Sequence, residues 1–151
     1  MIVKIFKAVW FLSLLTAVAV LLYAYASYPD IIQLSEAEPG AAQTISRNGL
    51  FYSALAILGI LNALVSVVNR FMSPKDQLFQ AWFHGLIVFF NLFMIVVLEF
   101  FNLYNSQERF DYDRIGYIIY GSVALIVLWA SLWPVARIVK SLGAQESITK
   151  D

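Results

Sequence analysis

Cysteine is absent from the 151-residue chain, histidine occurs once, and neither sign of charge dominates, ten Lys and Arg balancing ten Asp and Glu. The missing thiol excludes disulfide-braced ectodomains, thiol–disulfide enzymes, thiolate zinc sites, iron–sulfur clusters and palmitoylation. A single histidine excludes two-histidine haem ligation within one chain, so no cofactor is expected. Zero net charge leaves no basic stripe to neutralise phosphates, so nucleic acid is not an expected partner. Charged residues make up only 13% of the chain, where an ordinary soluble domain has about a quarter.

Apolar residues fill the difference: 61% of the chain is hydrophobic and the mean hydropathy is +0.75. This is the composition of a protein whose surface meets lipid. Crossing the hydrocarbon core takes roughly 20 mostly apolar residues in a helix, the conformation that satisfies its own backbone. Four stretches meet that requirement, at 8–28, 49–69, 79–104 and 115–136. Turn and cap residues separate them. Pro29-Asp30 ends the first span and Glu38-Pro39-Gly40 breaks the first loop. Ser73-Pro74-Lys75-Asp76 resembles a capping box with proline at the first helical position. Asp113 is placed to cap the fourth helix and Gly143 to end it. The expected fold is an all-α integral membrane protein: one domain over 1–151, four transmembrane helices in an antiparallel up-and-down bundle, and an amphipathic, polar tail at 137–151.

A cleavable signal peptide is the competing reading of the N-terminus. Lys4 and Lys7, an apolar run and Ala24-Tyr25-Ala26 before Ser27 fit that pattern. The apolar run is long for a signal peptide, which favours a retained span.

Basic residues near the span ends set orientation. Lys4 and Lys7 precede the first span, Arg70 and Lys75 lie in the second loop, and Arg137 and Lys140 follow the fourth. The first and third loops hold Arg47, Arg109 and Arg114 against Asp30, Glu36, Glu38, Glu108, Asp111 and Asp113. Both termini and the second loop therefore read as cytoplasmic, in a multi-pass protein of the cell membrane, of the bacterial inner-membrane kind. Aromatic residues supply a second test, because indoles and phenols settle at interfaces. Trp10, Trp82, Trp129 and Trp133 all fall towards the inner ends, whereas the eight tyrosines fall at or near the outer ends.

A weak internal repeat accompanies this alternation. Arg47-Asn48-Gly49 opens the second span and Arg70 closes it; Arg114-Ile115-Gly116 opens the fourth and Arg137 closes it at the same spacing. Trp10-Phe11 and Trp82-Phe83 mark the first and third. A duplicated helical hairpin leaves such a pattern, and so does convergence of all spans on the same interfacial rules.

Polar residues within spans are costly and need individual accounts. Gly59, Asn62, Ser66 and Asn69 share one face of the second span; Gln77, Gln80, His84 and Asn91 share one face of the third. In an antiparallel hairpin turning at 73–76, residues whose numbers sum to about 150 lie at equal depth. That places Ser66 beside His84, Asn69 beside Gln80 and Gly59 beside Asn91, with Asn62 within a turn of Asn91. Asn62, Ser66, Asn69, Gln80, His84 and Asn91 thus form a candidate polar seam. Its first reading is adhesive, making the second and third helices the tightest pair; its second is a polar path or ligand pocket beginning at the cytoplasmic mouth around His84. Glu99 lies near the outer end of the third span, at a depth where Arg114, Tyr117 or Tyr120 can pair with it. The alternative is a carboxylate that binds substrate or partner.

Pro134 should bend the fourth helix near the inner interface. Ile138, Val139 and Leu142 alternate with Arg137, Lys140 and Ser141 as in a surface-lying helix, and Ile31, Ile32 and Leu34 suggest a similar piece in the first loop. No nucleophile–base pair, metal-ligand cluster or phosphate-cradling loop is visible, so the protein is not expected to be an enzyme. Small four-helix exporters use a glutamate embedded in the first helix, where this chain has only Ser13 and Thr16; tetraspanin-like proteins need loop cysteines that are lacking. Two functions fit the composition. One is a non-enzymatic accessory, scaffold or assembly protein, with the bilayer and other membrane subunits, or further copies of itself, as partners. The other is a small homo-oligomeric transporter or channel lined by the seam.

Overall fold

The computed structural model describes residues 2–34, 43–72, 77–106 and 112–148, with side chains in the last segment from 115 to 139. Four helices carry the fold: α1 (Ile2–Ser27), α2 (Arg47–Phe71), α3 (Gln77–Tyr104) and α4 (Tyr112–Ile148). All four are long and apolar enough to cross a membrane. Each helix begins before the stretch that hydropathy marks, and α2 and α4 also end beyond theirs, because hydropathy falls at polar and charged residues and the helical backbone does not stop there.

The start of α2 has a clear local cause. Ser46 sits in extended backbone and its hydroxyl accepts from the Gly49 amide at 3.0 Å, closing the first turn. Arg47 stands at this N-terminus against the helix dipole. It is held by Asp30 at 2.9 Å, by the Tyr28 carbonyl and over the Tyr25 ring. Asp113 lies inside the first turn of α4 rather than at its cap, since the helix already includes Tyr112. Gly143 does not end α4, which runs through Pro134 and on to Ile148. The capping box at 73–76 lies outside the described residues.

Contacts between successive helices run in opposite chain directions. Tyr25 meets Phe51 and Trp10 meets Asn62 between α1 and α2; Phe79 meets Trp133 and Phe89 meets Trp129 between α3 and α4. The widest helix contact is not the expected α2–α3 pair but α1 against α3. Its cause is a stripe on α1 at helical spacing, Ser13, Ala17, Leu21 and Ala24, all buried. Three of these four side chains are small, which lets the backbones approach. Proximity in sequence favoured the α2–α3 hairpin; side-chain size decided for α1–α3. The α4 helix packs extensively on α3 alone.

The first loop is not the surface helix its pattern suggested. It forms an antiparallel pair, β1 (Ile31–Gln33) and β2 (Thr44–Ser46), with Ile32 opposite Ile45. Alternation in the strand sends Ile31 outward and Ile32 inward, where it is fully buried with Tyr28, Ala24 and Leu98. The outer edge of β1 is occupied by a side chain: Asn105 Oδ1 accepts from the Gln33 amide at 2.8 Å, and Asn105 Nδ2 donates to the Gln33 carbonyl at 3.1 Å. One amide side chain takes the place of a third strand there.

Candidate functional site

Buried polar groups concentrate where α1, α2 and α3 meet. Asn62 and Asn91 exchange amide hydrogen bonds at 2.9 and 3.2 Å. Asn62 Nδ2 also donates to the Leu58 carbonyl, and its Oδ1 accepts from Trp10 Nε1 at 2.8 Å. Asn91 Nδ2 also donates to Ser13 Oγ, and that hydroxyl donates to the Trp10 carbonyl. Every donor hydrogen is used: two on each amide, one on the hydroxyl and one on the indole. Closure of this kind is what makes polar groups tolerable in a low-dielectric interior.

The remaining seam residues lie about one to three turns away. His84 is fully buried. Its Nδ1 faces the Gln80 carbonyl at 2.5 Å, so Nδ1 carries the proton and Nε2 is the acceptor. Asn69 Nδ2 reaches Nε2 at 3.5 Å, and Trp10 packs edge-on against the ring. Gln80 thus joins through its backbone, and Ser66 is exposed and outside the network. The pairs are 62 with 91 and 69 with 84, both summing to 153 rather than about 150. Side chains on a helix lean towards its own N-terminus, so facing residues on antiparallel helices meet when each Cα lies about one position further along. Among the described residues, Asn69 Oδ1 has no hydrogen bond.

The expected phenol partners of Glu99 do not reach it: Tyr117 and Tyr120 are 77% and 75% exposed on α4. The Arg114 side chain lies outside the described residues. Among those described, Glu99 has no hydrogen bond or ion pair. Tyr28, close by, donates to the Leu98 carbonyl instead. No group of three or more metal-ligating side chains occurs among the described residues.

A second feature was not anticipated. At the end of the bundle holding the α1 N-terminus, Trp82 Nε1 donates to the Trp129 carbonyl and Trp129 Nε1 donates to the Trp82 carbonyl, both at 2.8 Å. This reciprocal clasp joins α3 to α4. Gly85 makes it possible, since a Cβ there would lie 2.5 Å from the Trp129 ring and 3.0 Å from Phe6. Beside the clasp an open cleft of about 300 Å³ is lined by Ile2 and Phe6 of α1, Ala81 and Trp82 of α3, and Trp129 and Trp133 of α4, among others. Indoles at helix ends read as interfacial anchors in sequence; their mutual bonding depends on a helix pairing that the sequence does not display.

The chain matches no protein-family model, no curated protein and no solved structure.

Proposed function

We propose that the chain is an integral membrane protein crossing the bilayer four times, as an up-and-down bundle with both termini cytoplasmic, and that it serves as a non-enzymatic accessory or assembly subunit. The carrying observation is the division between inside and outside. The polar groups at mid-bundle bond one another with no donor left over, while α4 presents apolar side chains outward over its described part, 115–139. Tyr117, Ile118, Leu125, Leu128, Leu132 and Val135 are all more than half exposed. In a bilayer those faces meet lipid or another apolar helix, and a helix held on one side only has most of its surface open to a partner. The segregation of basic from acidic flanks, and of tryptophan from tyrosine, supports the orientation.

Glu99 favours a second reading, a homo-oligomeric transporter in which this carboxylate lines a path between copies. Purification from native membranes in mild detergent, with mass spectrometry of each native-gel band, separates the two. Co-migration with a larger complex supports the accessory role. A symmetric homo-oligomer of this chain alone overturns it in favour of transport, and a lone monomer overturns both.

A further inference from the structure

The cleft beside the tryptophan clasp is open to the surroundings of the bundle, and its walls are almost wholly apolar. Water needs two to four polar partners to stay in a cavity, and these walls do not supply them. Leaving such a space empty forfeits dispersion contacts on every wall. In a bilayer the abundant molecule that can enter from the side is a lipid chain. The volume, about 300 Å³, sits at the lower bound of ordinary ligand pockets.

Charge at the rim narrows the occupant. Arg137 lies one turn beyond Trp133 on α4, and its guanidinium stacks 5.9 Å from the Trp133 ring centre. That ring is itself a wall of the cleft, so the cation is held at its edge. Lys4 and Lys7 are exposed on α1 at the same end of the bundle. A guanidinium at the edge of an apolar slot is complementary to a lipid carrying a negative headgroup above its chains.

We infer that this cleft is a binding site for one anionic phospholipid of the cytoplasmic leaflet, with an acyl chain between Phe6, Trp82 and Trp129 and the phosphate at Arg137. The site rests on the four-span reading and accounts for features that reading leaves unused: three tryptophans lining one cleft and an arginine stacked on one of them.

Three of the four tryptophans line the site, so chain-brominated lipids that quench indole fluorescence read its occupancy directly. The full-length protein is reconstituted into phosphatidylcholine vesicles containing equal small fractions of brominated phosphatidylglycerol or brominated phosphatidylcholine. The anionic lipid should quench at about one-fifth the mole fraction, the preference that one basic residue gives at an anionic surface. Arg137→Gln should abolish that preference while leaving quenching by the zwitterionic lipid unchanged. Ala136→Phe, which places a ring in the lining, should reduce quenching by both. Equal quenching of the native protein by the two lipids overturns the site and leaves the spans standing. Absence of quenching by either overturns the membrane reading itself, and the site with it.

Discussion

Asn62 and Asn91 differ from scattered polar residues in that each supplies the other's missing partner, so removing one strands the rest. Asn91→Leu leaves an Asn62 donor without its acceptor and removes the donor to Ser13. Unsatisfied buried groups cost about 1–3 kcal/mol each, and helix–helix amide bonds in membranes average nearer 0.6 kcal/mol, so a loss of about 1–2 kcal/mol is expected. Reversible unfolding in detergent micelles should register it. Asn62→Leu combined with Asn91→Leu should cost less than the two single changes added, because the pair is removed together; strict additivity would show that the exchange contributes nothing. Gly85 makes the opposite kind of demand. The Trp129 ring over it is fixed through its indole nitrogen, so it yields poorly to an added methyl. Gly85→Ala should lower stability by about 1–3 kcal/mol, the usual range for overpacking, and shift the emission of the clasped indoles. An unchanged spectrum with unchanged stability would count against the clasp.

At the scale of elements, α3 is the centre, with α1 and α2 on it and α4 held through the tryptophans. Helix number and approximate bounds were legible because apolar runs of this length admit few alternatives. The pairing hierarchy was not, because hydropathy weighs Ala17 and Leu21 alike while packing depends on their size. The first loop misled for a related reason. Three apolar residues within four fit a surface helix, and only Asn105, over seventy residues away, shows that Gln33 lies on a strand edge. Asn105→Ala should open that edge, raising amide exchange at Gln33 about fivefold if the bond contributes about 1 kcal/mol; exchange limited to the value of the native protein would mean the edge is held otherwise. The seam was half legible: period and depth brought Asn62 near Asn91, whereas Ser13 and Trp10 entered from a helix the hairpin argument left out. The sequence repeat gains a structural counterpart. Trp10 and Trp82 are its matching indoles, and their acceptors, Asn62 and Trp129, are 67 residues apart, the offset that takes Arg47 to Arg114 and Arg70 to Arg137.

For the whole molecule, the question is which end faces which compartment, and the lack of native cysteine makes it directly accessible. Single cysteines at exposed positions can be labelled without background. Ile31→Cys should react with a membrane-impermeant maleimide on intact cells, and Phe71→Cys only after permeabilisation; the reverse pattern would invert the topology. The Asn62–Asn91 pair is completed by Ser13 and Trp10 of the first helix, so a mature chain that keeps this helix is the expected outcome of mass spectrometry. A mature N-terminus at Ser27 would sink that arrangement. The same network has a consequence in time. A chain made from its N-terminus at about 5–20 residues per second presents Asn62 some 29 residues before Asn91, an interval of roughly 1.5–6 s. Throughout it the first hairpin holds the amide and Trp10, its partner in the finished structure, but lacks the third-helix partner. Arrival of the third helix, rather than completion of the chain, is then the step that locks the bundle, and the fourth helix joins a structure already closed.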